Sequence, residues 1–280
     1  MRPLLVKLFD VLVKFFISIT GMNKGNKIGC RFQEHLSPTV NVPVISRNQT
    51  IRLKCPNLHA LWRANTFHVK EPETLRWIDS FKEGEKLMDI GANVGLYTIY
   101  AAMAGHQVYA IEPESQNYAL LSQNLYLNKL SNKVVGLNMA LSDNREITKL
   151  FISTFAPAMA LHTVGKAEDF LHREMNPAFE QGVFALQLDD LMEWSGGFFP
   201  DHVKIDVDGA EARIIAGGKK TFSDPRLKTL LIELNEELEC DMQVLKTLES
   251  WGFNRYIKEQ SDYIKTTNYT HTYNYIFYKD

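Results

Sequence analysis

Residues Lys86–Glu114 read KLMDIGANVGLYTIYAAMAGHQVYAIEPE, and this stretch decides the fold. Lys86–Ile90 is a short apolar strand, and Gly91–Gly95 is a glycine-containing turn. Leu96–Ala104 reads as a helix closed by Gly105, and Val108–Ile111 as a second strand. Strand, tight turn, helix and strand in about thirty residues make a parallel unit, because only a crossover returns the chain in the same direction.

The same alternation continues downstream. Ser115–Lys129 is a helix with Tyr118, Leu121 and Leu125 on one face, and Val134–Ala140 is a third strand. Val203–Val207 is a fourth, followed by a helix over Ala210–Ala216 that the Gly217-Gly218 pair stops. Thr229–Leu234 is a fifth; Asp241 caps a helix carrying Val244, Leu245 and Leu248, which Gly252 ends. Asn254–Lys258 and Tyr273–Tyr278 form a terminal antiparallel hairpin. Ile147–Ser153 is an inserted strand, and Thr154–Phe179 is irregular. The fold class is α/β, a doubly wound, mostly parallel sheet with helices on both faces.

Upstream, Glu71–Phe81 (EPETLRWIDSF) is a helix with Pro72 at its first position, and Val40–Leu53 is an added hairpin. The chain divides into a leader over 1–21, a polar linker over 22–39 and a domain over 40–280. The leader, MRPLLVKLFDVLVKFFISITG, is interrupted by Lys7, Asp10 and Lys14, so it lacks the run of about 18 uncharged residues that a span needs. Those charges fall on one helical face, away from Leu5, Leu8, Leu12, Phe15, Phe16 and Ile19. Such an amphipathic helix either lies in a membrane interface or packs on protein. A cleaved signal peptide fits poorly, since charges interrupt its apolar region.

Composition bounds the partners. The 280 residues include 31 basic and 33 acidic side chains, a formal net charge of -2, which gives no electrostatic reason to expect nucleic acid. Hydrophobic content of 45% allows a full core. Cys30, Cys55 and Cys240 are too scattered for a metal motif or a disulfide framework, and fit reduced thiols in a cytoplasmic protein, peripheral to the membrane if the leader binds there. The triplets Asn48–Thr50 and Asn268–Thr270 read as chance matches to a glycosylation signal.

In open α/β sheets ligands bind at the carboxyl ends of the strands. There the chain places Asp89, Gly91, Ala92, Asn93 and Gly95, with Thr98 on the following helix, and then Glu112 and Pro113 after the second strand. Glu112 follows Gly95 by seventeen positions, close to the ~20 expected of an acid that grips ribose hydroxyls. A dinucleotide turn would carry glycine where Asn93 and Leu96 stand, so a nucleoside without pyrophosphate fits better. S-adenosylmethionine is such a ligand. An NAD(P)-dependent oxidoreductase and a non-catalytic membrane-associated module remain as alternatives.

At this point the residues resemble a known family. EPETLRWIDSF, LMDIGANVGLYTIYAA, AIEPE, QLDDL and VKIDVDGAEARIIAGG together are similar to the FkbM methyltransferases, over roughly Val40–Asp280. The resemblance implies a Rossmann-like class I methyltransferase fold: seven strands, the last antiparallel. It also implies S-adenosylmethionine as donor and O-methylation of a hydroxyl on a sugar, glycan, lipid or other small molecule. Asp89, Gly91, Asn93 and Gly95 match the family's first motif, Glu112 its ribose acid, and Met139, Ala140 and Leu141 the segment flanking adenine. Lys204, Asp206, Asp208, Gly209 and Glu211 match the second signature. Asp208 stands where many relatives carry glutamate, and Pro157–Leu161 lacks the polar serine-asparagine run often found there.

Transfer to a hydroxyl needs alignment and a base. Asp206, at the end of the fourth strand, is the expected base or acceptor ligand. Glu211 is expected to orient the acceptor or Lys204, and Lys204 to pair with a nearby acid. Asp206, Glu233 and Asn235 are oxygen donors that would serve a divalent ion if they converged. His162 and His172 are alternative bases. Oligomeric state stays open.

Overall fold

A computed structural model describes residues 2–21, 27, 38–266 and 271–279. Most of the linker, Cys30 and the Asn268–Thr270 triplet lie outside the described residues. The leader is a helix, α1 (Arg2–Thr20). On it Leu5, Leu8, Phe9, Val11, Leu12, Phe15, Phe16 and Ile19 are all exposed. No described helix is long and apolar enough to cross a membrane.

The domain begins with the expected hairpin, β1 (Thr39–Val44) against β2 (Gln49–Lys54). Two helices follow, α2 (Leu58–Lys70) and α3 (Pro72–Asp79). The second was expected, with Pro72 in its first turn. The first was not read from the sequence. It starts on Asn57, whose side chain accepts the Ala60 amide at 2.9 Å. Its inward stripe is only Ala60, Ala64 and Phe67, too thin to stand out among polar neighbours.

A seven-stranded sheet forms the centre. Its strands are β3 (Lys86–Ile90), β4 (Gln107–Ile111), β5 (Val134–Leu137), β10 (His202–Ile205), β11 (Thr229–Asn235), β12 (Arg255–Glu259) and β13 (Thr272–Tyr278), in the order β12-β13-β11-β10-β3-β4-β5. The five from β11 to β5 are parallel; β13 is antiparallel to both β11 and β12. This is the class I methyltransferase arrangement that the resemblance implied. Strands β10 and β11 are buried almost throughout, as befits a parallel sheet covered on both faces.

Alternation along β3 splits the core. Leu87 faces one layer with Ile99, Ala101 and Leu121, from α4 (Leu96–Met103) and α5 (Ser115–Leu127). Met88 and Ile90 face the other with Ile214, Phe222 and Leu248. Those come from α7 (Glu211–Gly217), α8 (Lys219–Ser223) and α9 (Glu239–Ser250), beside which lies α6 (Leu188–Trp194). The register sets Lys204 beside Asp89.

Three expectations change. The third strand, read as Val134–Ala140, ends at Leu137. The Asn138 side chain donates through Nδ2 to the Glu112 and Pro113 carbonyls at 2.8 and 3.1 Å, and the chain bends there. It resumes as β6 (Ala140–Leu141) in a second sheet ordered β6-β9-β7-β8. The inserted strand, β7 (Glu146–Ile152), pairs along its length with β9 (Phe179–Leu186), and the irregular stretch contains β8 (Thr163–Val164). Finally, Asp241 does not cap its helix. Leu238 holds the cap position, and the Asp241 carboxylate accepts the Asn235 amide at 2.9 Å.

Candidate active site

The glycine turn is braced from behind. The Gly91 and Ala92 amides both donate to the Ile111 carbonyl, at 2.9 and 3.0 Å. The Asn93 amide donates to Glu112 Oε2 at 2.8 Å, the Val94 amide to Asn93 Oδ1 at 3.0 Å, and the Gly95 amide to the Ala92 carbonyl at 2.8 Å. All five N–H groups of the turn are therefore engaged within the protein. Gly91 and Gly95 have φ of 84° and 85°. A Cβ on Gly91 would lie 1.9 Å from the Asp206 carbonyl oxygen, and one on Gly95 would lie 2.3 Å from Leu121. These glycines let neighbouring strand ends and a helix pack closely.

A cavity of about 550 Å³ opens over the strand ends, lined by Gly91, Asn93, Glu112, Pro113, Met139, Ala140, Leu141 and Asp206 among others. Burial pushes Glu112 up to about 7 even though its two oxygens accept the Asn93 and Glu114 amides. On the same wall His162 Nε2 is buried without a hydrogen-bond partner, and burial lowers that histidine's pKa. A nucleobase edge would satisfy this atom. Apolar Leu141, Val164, Ala210 and Ile214 lie around it.

A larger cavity, about 1310 Å³, adjoins the first through Gly91, Asn93, Met159, Ala160, Asp206 and Asp208. Trp62, Arg63, Lys70, Glu233 and Tyr263 line its outer part. A third recess, behind the glycine turn, is bordered by Arg63, Glu71, Tyr97, Lys204 and Asp206.

The segment between the two large cavities is held by its backbone. Asn57 donates to the Pro157 carbonyl at 2.8 Å, Arg63 Nε to the Ala158 carbonyl at 2.8 Å, and Asn93 to the Met159 carbonyl at 2.7 Å. Asn117 accepts the Ala158 amide at 2.7 Å, and Asp208 accepts the Leu161 amide at 2.7 Å. Ala158 and Leu161 take φ of 66° and 63°, strained for residues with a side chain. The stretch that lacks polar residues of its own is thus positioned by polar residues from four other segments.

The buried Lys204 and the half-buried Asp206 form an ion pair at 2.6 Å. Burial would raise Asp206, but the Lys204 and Lys70 ammonium groups hold it at about 2. Burial and the nearby Asp206 charge push Asp208 up to about 6. Glu233 is raised well above the usual carboxylate range, by burial first and Asp206 second. Asp89 and Thr98 face each other at 2.5 Å, buried behind the turn, and support it rather than line the cavities.

Several expectations are corrected. Glu211 lines none of these cavities; its carboxylate accepts the Val207 and Gly209 amides at 3.3 and 2.9 Å and orders the turn after β10. Lys204 pairs with an acid as expected. The proposed oxygen cluster does not converge: Asp206 and Glu233 share the large cavity, but Asn235 Oδ1 takes the Glu237 amide at 2.9 Å. Among the described residues no group of three or more His, Cys, Asp or Glu is placed to hold a metal ion. His172 lies in a separate cleft with Asp143 and Arg213, and His162 lines the first cavity. The sequence reading missed Arg63 and Lys70, which α2 brings to the site and only recognition of that helix would have exposed; Glu71 fell in a recognised helix but was not singled out for the site.

A profile of the methyltransferase FkbM domain matches residues 89–255, more than half of the chain. The 31-O-demethyl-FK506 methyltransferase FkbM of Streptomyces tacrolimicus is 25% identical over 194 residues, 61% of this chain and 74% of that protein. A tRNA (guanine(37)-N(1))-methyltransferase of Phytophthora infestans (strain T30-4) is 24% identical over 155 residues, 51% of this chain and 36% of that one. Among solved structures, a putative rRNA methylase from Clostridium thermocellum is 12% identical with a TM-score of 0.44, covering 76% of this chain and 98% of its own. TrmK of M. capricolum, solved with S-adenosylhomocysteine, is 12% identical with a TM-score of 0.42, covering 74% and 68%.

Proposed function

Because the chain belongs to the FkbM family of methyltransferases, we propose that it methylates a hydroxyl of a sugar, glycan, lipid or other small-molecule acceptor with S-adenosylmethionine as donor. The observation that carries this reading is the position of Asp206, in the wall shared by the nucleoside cavity and the larger cavity beside it. The residues fit the donor. Glu112 offers a carboxylate to a ribose, Met139–Leu141 and Ile214 offer apolar contact to a purine, and the unpartnered His162 Nε2 suits its edge. The turn's engaged amides leave no N–H cradle for a pyrophosphate, which disfavours the oxidoreductase alternative.

When bound, S-adenosylmethionine supplies a methyl group on a positively charged sulfur. The protein's part is to align a nucleophile and take its proton. Asp206, ionised and fixed by Lys204, serves as the acceptor-facing ligand that orients the hydroxyl. Asp208 lines both cavities, and burial has brought it to about 6, near the working range of a general base. Trp62 and Tyr263, joined by an indole-to-hydroxyl hydrogen bond of 2.8 Å, border the acceptor side with an aromatic surface suited to a sugar face or an apolar chain.

For residues 2–20 we infer a lipid–water interface as the partner. Eight large apolar side chains are exposed on this helix, and Arg2, Lys7 and Lys14 outnumber Asp10, which favours an anionic surface.

Thermal shift with S-adenosylmethionine and NAD added separately tests the donor. Ligand at a hundred times its Kd stabilises by about 2.7 kcal/mol. Stabilisation by NAD alone would overturn the reading. Incubation with methyl-labelled donor and fractionated extract then identifies the acceptor, and label entering only nucleic acid would refute the hydroxyl assignment to a small molecule.

A further inference from the structure

Resting on the donor assignment above, the geometry points to Arg63 as the seat for the α-carboxylate of the donor's amino-acid tail. A zwitterionic tail beside the glycine turn needs a donor for its carboxylate, and the turn cannot supply one. All five amides from Gly91 to Gly95 are already engaged inside the protein. The recess behind the turn holds three cations: Arg63, Lys70 and Lys204. Lys70 is paired with the buried Glu71 carboxylate and Lys204 with Asp206. Arg63 is the remaining one, and among the described residues no carboxylate lies within ion-pair distance of it.

Its orientation suits the task. Arg63 Nε donates to the Ala158 carbonyl at 2.8 Å, which anchors one edge of the guanidinium. The other two nitrogens stay available for a carboxylate, and a guanidinium holds such a group through parallel N–H bonds. Arg63 lines both the recess and the acceptor cavity, while Leu96 and Tyr97, in the first turn of α4, border the same space. The positive end of that helix adds to the field. Glu71, also in the recess, is engaged by Lys70 and Thr74 and leaves the carboxylate seat to Arg63. The tail would thus be read by the middle of α2, which lies upstream of the residues matched to the family, and by the first turn of α4, which lies among them.

The test compares two ligands by isothermal titration calorimetry on the full chain: S-adenosylmethionine and its decarboxylated analogue, which keeps the ammonium but lacks the carboxylate. Arg63→Gln should weaken S-adenosylmethionine binding by about tenfold or more, the scale of a lost charge-assisted pair. Binding of the decarboxylated analogue should change by less than about twofold. Equal loss for both ligands would show a merely structural role, and no loss for either would show that the tail lies elsewhere; each result overturns the inference. Arg63→Lys keeps charge and much of the packing if the glutamine variant misfolds, and should give an intermediate loss confined to the carboxylated ligand. Failure of the wild-type chain to bind S-adenosylmethionine would instead refute the donor assignment.

Discussion

Lys204 and Asp206 stand two residues apart at the end of one buried strand, and their side chains meet at 2.6 Å. Period-two alternation puts both on the same face, where the strand runs out into the site. The pair keeps Asp206 charged in a place where burial would otherwise neutralise it. Asp206→Asn removes the charge and keeps the shape. Turnover of labelled donor with an active extract fraction should fall by about a hundredfold or more. Donor affinity, read by calorimetry, should stay within about threefold, since Glu112 and Arg63 remain. Equal loss of both would deny Asp206 its place on the acceptor side.

Asp208 gives a pH dependence. A base must be ionised, so activity should be lost as pH falls through about 6, the value to which burial and Asp206 bring this group. The profile of kcat/KM should rise with unit slope below that point and level off above it. In Asp208→Asn the plateau should drop by about two to four orders of magnitude and that limb should vanish. A rising limb that persists unchanged in the variant would assign it to another group.

Glu211 predicts a stability change of opposite sign to the common carboxylate. Burial and the nearby Asp241 push it up to about 8, against about 4.3 in an unfolded chain. The folded state therefore holds the proton more tightly. Its contribution is fully present at low pH and is lost as pH rises through this interval. Glu211→Gln cannot titrate; its single carbonyl oxygen replaces one of the two carboxylate oxygens that accept the Val207 and Gly209 amides, a loss that does not vary with pH. Urea unfolding should show the variant gaining on the wild type from pH 5 to pH 8, by an amount on the order of a few kcal/mol. Other titrating groups cancel in the difference, and a gap that shrinks with rising pH would contradict the burial argument.

The central sheet was legible because its strands are short apolar runs separated by turn residues, and periodicity reports those directly. The cavity over the strand ends was legible in part: Gly91, Asn93, Glu112 and Met139 to Leu141, which follow strand ends, line it, whereas Asp89 lies behind the turn. What escaped was set by tertiary contact. Helix α2 shows only a thin apolar stripe, so Arg63 and Lys70 were not singled out. Strand β9 finds its partner thirty residues upstream, and neither half signals the other. Glu211 matched a motif, yet its carboxylate turns back to the amides of its own turn, a direction that residue type does not encode.

Asn93 ties the glycine turn to the segment over the cavities. It adopts φ of 49° while its side chain donates to the Met159 carbonyl at 2.7 Å. Asn93→Gly keeps the left-handed backbone and deletes the tether; Asn93→Ala adds backbone strain of about 1 kcal/mol or more. Hydrogen exchange at residues 158–162 should speed up in both variants, because local opening costs less without the tether. Thermal stability should fall more in the alanine variant. Unchanged exchange in Asn93→Gly would mean that the remaining contacts from Asn57, Arg63, Asn117 and Asp208 hold the segment alone.

The leader helix makes the last prediction, and its sign depends on two separable forces. Apolar burial in the acyl boundary favours binding at about 25 cal/mol per Å², and Arg2, Lys7 and Lys14 add attraction to anionic headgroups of about 1 kcal/mol per charge near the surface. The full chain should co-sediment with vesicles containing anionic lipid, and a version starting at Met22 should stay in the supernatant. Raising salt screens the charge contribution and should weaken binding without abolishing it. Leu12→Glu with Phe15→Glu places charge on the apolar face and should release the chain even at low salt, while the folded domain, monitored by donor binding, is untouched. Equal sedimentation of the full and shortened chains would exclude the helix as the membrane contact. Sedimentation of neither, with self-association of the full chain, would assign the exposed face to another protein surface.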